Sequence, residues 1–349
     1  MTGDLRPRRL DPARLKPLQD WLAGALEARA VAITGAEILG GGAIGENWLI
    51  RAEVEGGARA GSHDWVLRTD AVARLDISHD RTHEFALIKA AHAAGVKVPE
   101  PVATCPDEAL IGAPFMIVGR VAGTAQGRAL VRDAAVAANR EALVHEIGRQ
   151  LARIHSIRPP RDDLSFLPLP EEAPALAQIA LLRRCLDGVS SPQPALEFIL
   201  SWLEERAPDA GEIVLCHTDF RTGNIMIDQG RLTGILDWEF CHWGDPHFDL
   251  AWFCARCWRF GADAWEAGGL GPRQAFYEGY RAEGGIAPDP EQIAYWEIMS
   301  AARWAAIALL QGERHISGGE PSIELLLTGL MAPEMQYDAL AAIVAQGES

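Results

Sequence analysis

The sequence lacks most of what membrane and secreted proteins require. No run of about 18 uninterrupted apolar residues is present to cross a bilayer, and the basic N-terminal segment has no apolar signal core. The six cysteines follow no framework spacing, which favours a reducing compartment over a disulfide-stapled domain. We therefore expect a soluble, cytoplasmic protein with no membrane partner.

Basic residues are also in short supply. The chain has 32 lysines and arginines against 48 acidic residues, which gives a formal charge of −16. Nucleic-acid phosphates need a basic surface, so this balance argues against a nucleic-acid partner. The acidic excess mildly permits a cationic substrate, although such charge mostly serves solubility.

Cys254 and Cys257 form a lone C-x-x-C motif, with His242 and His247 nearby in the sequence. Zinc sites built on this motif usually carry a second pair of ligands at a matching spacing, and no second C-x-x-C is present. The surrounding AWFCARCW is apolar enough to be one buried helical turn. We interpret the two cysteines as packing residues.

The hydrophobic pattern changes near residue 125. Before that point period-two alternation dominates, and after it three-to-four spacing dominates. Strands are predicted at 31–39, 48–54, 65–68 and 114–118, and helices at 10–30, 79–94, 140–156, 174–206 and beyond 247. We expect an α+β protein with a small sheet-forming N-terminal lobe, residues 1–122, and a larger, mainly helical C-terminal lobe, residues 123–349.

A glycine cluster follows the first predicted strand. Gly40, Gly42 and Gly45 fit G-x-G-x-x-G, which is a dinucleotide signature only where a helix comes next. Residues 46–54 alternate as a strand instead, which favours a hairpin whose backbone covers nucleotide phosphates, as in kinases. An ordinary hairpin turn and a dinucleotide-binding oxidoreductase are the alternatives.

The most specific pattern is LCHTDFRTGNIMID, residues 215–228. His217, Asp219 and Asn224 have the H-x-D-x-x-x-x-N spacing of a kinase catalytic loop. Phosphoryl transfer needs a carboxylate that orients the attacking hydroxyl and takes its proton, which predicts Asp219 as the base. It also needs a neutral oxygen ligand for Mg²⁺ on the same loop, which predicts Asn224.

Three further residues complete the predicted nucleotide site. Asp237, in GILDWE, ends an apolar strand and is placed to bridge Mg²⁺ to the phosphates. Arg68 on the third strand and Glu84 on the next helix take the places of the basic and acidic pair that holds the α and β phosphates. The arginine side chain ends in a planar guanidinium and the lysine side chain in a compact ammonium group. Whether Arg68 fully replaces the usual phosphate-binding lysine is therefore left open.

Taken together, the glycine loop, the VLR strand, LCHTDFRTGNIMID, GILDWE and GDPHFDLAW resemble the aminoglycoside phosphotransferase (APH) family over residues 30–310. The resemblance implies a protein-kinase-like two-lobed fold, with ATP or GTP and Mg²⁺ as cofactors. It implies that Asp219 is the catalytic base and that Asn224 and Asp237 bind the metal. At the arginine of VLR, the chain resembles a branch of this family that is related to the kinase-like domains fused to acyl-CoA dehydrogenases.

The same resemblance implies supporting roles for three residues around the loop. His217 would brace it, Asp249 in GDPHFDLAW would tie its backbone from a helix below, and Asp245 would cap nearby. We expect His217 and Asp249 to be structural.

The sequence between Asp237 and Asp249 contains no Ser, Thr or Tyr and is too short for a protein-kinase activation segment. This predicts a small-molecule acceptor: aminoglycoside-like, a hydroxyacyl-CoA or another hydroxylated metabolite. We expect an ATP-dependent phosphotransferase acting on an alcohol group. The alternative is a kinase-fold, nucleotide-binding regulator without turnover. We interpret the tryptophans after residue 200 either as residues that pack between helices or as the lining of an acceptor pocket. The sequence does not predict the oligomeric state.

Overall fold

The structure is a computed structural model that describes residues 10, 12–39, 46–69, 78–209 and 211–347. The chain folds into two units. Among the described residues, the first contains those up to Ala122 and the later segment Gly234–Phe240, and the second contains those between Gly123 and Thr233 and those from Cys241 onward. Residues 234–240 fall within the C-terminal lobe expected from the sequence but belong to the first unit, where the Ile235 N–H donates to the Lys97 carbonyl.

The first unit is an antiparallel sheet with two helices. Its elements are α1 (Pro12–Ala25), β1 (Ala30–Leu39), β2 (Asn47–Glu55), β3 (Gly61–Thr69), α2 (Arg81–Ala93), β4 (Pro101–Cys105) and β5 (Phe115–Gly119). The five strands pair in the order β1-β2-β3-β5-β4. Helix α1 shares a core cluster with the buried side of the sheet, and α2 packs on β4 and β5.

Buried and exposed side chains alternate along the second half of β2. Ile50, Ala52 and Val54 are buried, while Arg51 and Glu53 between them are exposed. A strand turns successive side chains to opposite faces, so every second residue reaches the core. The period-two pattern therefore has a direct structural cause.

The predicted strands at 31–39, 48–54, 65–68 and 114–118 are confirmed as β1, β2, β3 and β5. Strand β4 was missed because it is short and begins with a proline, which suits only a sheet edge. The predicted helix at 10–30 is too long. It ends at Ala25, and Glu27 adopts a left-handed backbone conformation with φ of 51° that does not continue a right-handed helix.

The second unit is mainly helical. Its helices are α3 (Gly127–Leu130), α4 (Ala134–Ala138), α5 (Arg140–His155), α6 (Pro174–Asp187), α7 (Pro194–Glu205), α8 (Pro246–Cys254), α9 (Arg273–Ala282), α10 (Pro290–Ile316), α11 (Ile323–Gly329) and α12 (Ala332–Gly347). Its short strands are β6 (Val214–Cys216), β7 (Ile225–Asp228), β8 (Arg231–Ile235) and β9 (His242–Gly244), paired as β6-β9 and β7-β8. Strand β8 passes from the second unit into the first at Gly234.

Helix α10 is the central helix of the second unit. It contacts α6, α7, α8, α11 and α12, and small side chains such as Ala302, Ala305 and Ala306 are buried along it. By length and composition alone it could cross a membrane, but 56% of its most apolar window is buried among these helices. We therefore describe it as a core helix.

Helices α5 and α9 approach each other closely at two glycines. A Cβ added at Gly279 would lie 1.9 Å from the carbonyl oxygen of His145, and one added at Gly148 would lie 2.1 Å from the carbonyl oxygen of Phe276. Both obstacles are backbone atoms, so a larger residue forces the helices apart.

We expect Gly279→Ala to lower the free energy of unfolding by about 1–3 kcal/mol, the usual cost of overpacking. The matched control is Gly24→Ala in α1, where a Cβ meets nothing within 4 Å. That change should be neutral or stabilise by up to about 1 kcal/mol through helix propensity. Urea unfolding of the two variants measures the difference, and equal midpoints would contradict the close packing of α5 on α9.

Candidate active site

The loop that contains Asp219 joins β6 to β7 in the second unit. Strand β6 is buried along its length and pairs with β9, which fixes the start of the loop. A short 3₁₀ turn, Thr222–Asn224, closes the loop before β7 begins. We call residues 217–224 the Asp219 loop.

The backbone of the Asp219 loop is held in an uncommon conformation. Thr218 has a φ of 64°, a left-handed value that a β-branched residue rarely adopts. The carboxylate of Asp249, on α8, accepts the N–H of Thr218 at 2.7 Å and the N–H of His217 at 2.6 Å. From α10, Arg303 Nη1 donates to the Thr218 carbonyl at 2.6 Å. The surrounding helices thus hold the strained residue from both sides.

Asp249 is completely buried and depends on these donors. His155 Nε2 lies 3.2 Å from its Oδ2, and His155 Nδ1 lies 2.7 Å from the hydroxyl of Tyr280. Burial raises the pKa of Asp249, but the hydrogen bond and charge of His155, together with His217, outweigh burial and lower the pKa overall. The carboxylate therefore stays ionised beneath the loop.

His217 is also buried, and its Nδ1 accepts the backbone N–H of Asp219 at 3.3 Å. Its ring packs edge-on against Phe220, with ring centroids 5.9 Å apart. His217 therefore contacts the loop and leaves the carboxylate of Asp219 to other partners.

Three side chains orient the carboxylate of Asp219. Arg221 Nε donates to both oxygens, each at 3.0 Å, and Trp252 Nε1 donates to Oδ1 at 3.3 Å. Asn224 Nδ2 donates to Oδ2 at 2.6 Å and to the main-chain oxygen of Asp219 at 2.9 Å. Both amide hydrogens of Asn224 are engaged by Asp219, so its Oδ1 is the atom with which it could bind a metal.

Tryptophans near the Asp219 loop pack against arginines. The guanidinium of Arg221 lies 4.6 Å from the ring of Trp258, and that of Arg303 lies 4.4 Å from the ring of Trp252. Trp258 in turn packs against Trp304, with centroids 4.6 Å apart. These rings therefore contribute to helix packing and also border the predicted base.

In the first unit, the guanidinium of Arg68 bridges two carboxylates. Its Nη1 lies 2.8 Å from Glu84 Oε1, and its Nη2 lies 2.9 Å from Asp237 Oδ1. Glu84 is completely buried and also pairs with Arg81, which lies 3.4 Å from Glu239 Oε2. The guanidinium of Arg68 thus forms the expected pair with Glu84 and also contacts Asp237, the predicted metal ligand.

The neighbouring charges and burial shift the pKa values of Arg68 and Glu239. Burial lowers the pKa of Arg68, but attraction to Glu84, Asp237 and Glu239 outweighs it and raises the pKa overall, so Arg68 remains charged. Burial raises the pKa of Glu239 to about 7. Asp237 has a φ of 60°, which aspartate tolerates better than most residues, and its side chain is 41% exposed.

The remaining predicted site residues have different outcomes. Gly40, Gly42 and Gly45 lie outside the described residues. Cys254 and Cys257 are free thiols, and burial raises the pKa of Cys254 to about 12. Within the described part of the chain, neither cysteine belongs to a group of three metal-ligating side chains. Both remain packing residues in our interpretation.

Sequence reasoning missed His155, Tyr280 and Arg303. His155 ends a predicted amphipathic helix, and Arg303 stands alone among apolar residues in SAARWAAIALL. A lone polar residue on an apolar helical face is a weak signal, because its partner lies far away in the sequence. Only the fold brings α5, α9 and α10 to the Asp219 loop.

Asp249→Asn should lower the free energy of unfolding by about 1–3 kcal/mol, because an amide cannot accept both loop N–H groups and leaves one buried donor unpaired. Amide hydrogen exchange at residues 217 and 218 should accelerate. The control is Asp245→Asn, which retains an oxygen to cap α8 through the N–H of His247.

This stabilisation should depend on pH. The folded pKa of Asp249 lies below its unfolded value of about 3.9, so its contribution is complete above that pH and is lost as the pH falls through the folded value. The difference between wild type and Asp249→Asn should therefore shrink below about pH 4. A difference that stayed constant on acidification would contradict the assigned contacts.

Glu84→Gln should destabilise the first unit by about 3–5 kcal/mol, because it removes the buried carboxylate that faces Arg68 and Arg81. The control is Glu53→Gln on β2, where the side chain is exposed and bonds to Ser62, and where a change within about 0.5 kcal/mol is expected. Equal unfolding free energies for the two variants would show that the buried pairs contribute nothing.

Known proteins resemble this chain in sequence. The model of the phosphotransferase enzyme family, APH, matches residues 35–296, well over half of the chain. A region of 190 residues is 34% identical to part of Acyl-CoA dehydrogenase family member 11 of Gallus gallus, and covers 51% of this chain and 23% of that protein. The chain thus spans less than a quarter of that relative's length.

Solved structures support the same fold. A Ralstonia eutropha JMP134 protein named after the aminoglycoside phosphotransferases superposes with a TM-score of 0.74 at 22% identity, over 94% of this chain and 97% of that one. A spectinomycin phosphotransferase solved with ADP and spectinomycin gives a TM-score of 0.58 at 14% identity, over 95% and 99% of the two chains. The expected α+β, protein-kinase-like fold is confirmed. On the strength of the family match, this chain is a member of the phosphotransferase enzyme family.

Proposed function

We propose that this protein transfers the γ-phosphoryl group of ATP, or of GTP, to a hydroxyl group of a small molecule. The observation that carries the proposal is the carboxylate of Asp219, oriented by Arg221, Asn224 and Trp252 on a loop whose backbone is fixed by Asp249. A positioned base on a rigid support is what phosphoryl transfer requires of the protein. Family membership and the ADP-bound fold neighbour support the choice of reaction.

In the proposed reaction Asp219 orients the acceptor hydroxyl and takes its proton. Its two oxygens already accept from three side chains, so an incoming hydroxyl has to displace one donor. Arg221 Nε shares one hydrogen between both oxygens, and Trp252 donates at 3.3 Å, so these are the weaker contacts. Asn224, at 2.6 Å, keeps the carboxylate in place while the exchange occurs.

Asn224 and Asp237 each carry an oxygen of the kind that a magnesium ion takes as a ligand. Asn224 offers an amide oxygen, and Asp237 offers Oδ2 because Arg68 contacts its Oδ1. Hard oxygen donors of this kind are the ligands that Mg²⁺ prefers. A bound ion would neutralise charge on the phosphates, and Arg68 together with Gly40, Gly42 and Gly45 would bind phosphate oxygens.

The alternative function is a nucleotide-binding regulator without turnover. Its support was the replacement of the usual lysine by Arg68. Because Arg68 nevertheless pairs with Glu84, the replacement does not favour a loss of function. We therefore retain the phosphotransferase as the proposal, with an aminoglycoside-like compound, a hydroxyacyl-CoA or another hydroxylated metabolite as acceptor.

Asp219→Asn should lower kcat by about 10²- to 10⁴-fold, the usual contribution of a positioned general base. Its Kd for Mg²⁺-ATP should stay nearly unchanged, since the base acts on the acceptor. Asp228→Asn, at an exposed position on β7, is the matched control and should leave both values unchanged. Mass spectrometry of acceptors and calorimetry with nucleotide provide the measurements. Loss of nucleotide binding in Asp219→Asn would remove Asp219 from the proposed role.

A further inference from the structure

The second unit contains a cavity beside the C-x-x-C motif. Its volume is about 290 Å³, close to the lower end of the range for small-molecule sites, roughly 300–1,000 Å³. Its walls come from the end of α8, the 3₁₀ turn Arg256–Trp258, the start of α9, and the facing sides of α10 and α12. Of the described residues that line it, none belongs to the Asp219 loop. The cavity is therefore separate from the proposed base.

The interior of the cavity is apolar. Ile298, Met335 and Ala339 line it and are almost completely buried. Both cysteines of the motif also line it, and burial raises the pKa of each thiol, to about 12 for Cys254. A protonated thiol packs as a small hydrophobic group. Cys254 and Cys257 therefore contribute two apolar groups to the wall.

The charged side chains around the cavity are balanced in sign and have partners. Three arginines and three carboxylates line it: Arg256, Arg259, Arg273, Glu266, Glu297 and Asp338. Arg273 lies 2.6 Å from Glu297, and Arg256 lies 2.9 Å from Asp338. Arg259 donates to the carbonyl of Cys254 at 2.8 Å. All six are partly or fully exposed, so the charges surround the opening and the interior stays apolar.

This lining selects a ligand without net charge. An anion would approach three carboxylates and a cation would approach three arginines. Either ion would meet like charges and would have to displace an existing partner from the opposite charges. Benzene occupies an apolar cavity of about 150 Å³, so this cavity accommodates roughly twice that volume. A compact bicyclic compound with one neutral polar group at the opening matches both the size and the polarity.

One short segment, residues 252–258, contacts both the cavity and the Asp219 loop. Its cysteines line the cavity. Trp252 donates to Asp219 Oδ1 at 3.3 Å, and the ring of Trp258 lies 4.6 Å from the guanidinium of Arg221. Arg221 in turn donates to both oxygens of Asp219. A ligand that restrains this segment therefore also restrains the groups that orient Asp219.

We propose that this cavity is an effector site for compact, uncharged and mainly apolar molecules, and that an occupant stabilises the Asp219 loop. The effector is a second ligand, distinct from the acceptor that Asp219 would contact. This inference goes beyond the proposed function and does not require it, because binding and loop stability are measurable without phosphoryl transfer.

The test uses three bicyclic compounds that differ in charge. 2-Naphthamide is uncharged, 2-naphthoate is an anion of nearly the same shape, and 2-naphthylmethylamine is a cation. None has a hydroxyl group, so none is an acceptor in the proposed reaction. Calorimetry with the full chain should give a Kd for the amide at least about 10-fold below that for either ion.

Substitutions on α12 locate the bound compound. Ala342 lines the cavity, and its neighbour Ala341 is exposed on the same helix. Ala342→Leu adds carbon atoms inside the cavity and should raise the Kd for 2-naphthamide by at least about 10-fold. Ala341→Leu makes the same chemical change outside it and should leave the Kd unchanged. Ala301→Leu fills the cavity from α10, should act like Ala342→Leu, and replaces that variant if thermal melting shows that it does not fold.

Amide hydrogen exchange measures the effect on the loop. A concentration of 2-naphthamide that saturates the wild type should slow exchange at residues 217–224 by about 3-fold or more in the wild type and in Ala341→Leu. The same concentration should leave exchange in Ala342→Leu unchanged.

Four results would contradict the inference. Equal Kd values for the amide and either ion would exclude a preference for uncharged ligands. An unchanged Kd in Ala342→Leu and Ala301→Leu would place the compound outside this cavity. Binding with no change in exchange at 217–224 would remove the effector role. No binding of any of the three compounds would overturn the site itself, and the proposed phosphoryl transfer would be unaffected.

Discussion

The hydrogen bonds that the Asp249 carboxylate accepts from the backbone N–H groups of His217 and Thr218 are the interaction on which the rest of the site depends. They hold the left-handed conformation of Thr218, the residue that directly precedes Asp219. Because Asp249 is buried, the protein must supply its hydrogen-bond partners, which come from α5 through His155 and from the loop itself. Helices α5, α8 and α10 thus act together on one short loop.

In the first unit, ion pairs rather than backbone hydrogen bonds hold the buried carboxylate of Glu84. Glu84 is buried between Arg68 and Arg81, and the planar guanidinium of Arg68 reaches Asp237 with its second nitrogen. A lysine would present one ammonium nitrogen to the two carboxylates, whereas Arg68 gives each carboxylate its own nitrogen. Arginine and lysine are therefore not equivalent at this position. The second contact of Arg68 links strand β3 with Asp237, the predicted metal ligand.

Sequence reasoning predicted local patterns well and distant partners poorly. The alternation of β2 and the spacing of His217, Asp219 and Asn224 are read within a few residues, so the fold class and the family followed from them. The contacts of Arg303 with Thr218 and of His155 with Asp249 join residues more than 80 positions apart. Helix packing creates such contacts, and no short pattern encodes them, so the support of the Asp219 loop became visible only in the fold.

The proposed activity of this chain is the transfer of a phosphoryl group from a nucleotide to a small-molecule hydroxyl. Phosphorus NMR of the protein with Mg²⁺-ATP and a mixed set of hydroxylated acceptors measures this transfer, since it resolves phosphate esters from inorganic phosphate. We expect a new phosphomonoester signal that grows in equal proportion to ADP. Intact ATP, or ADP that forms together with inorganic phosphate and no ester, would contradict it.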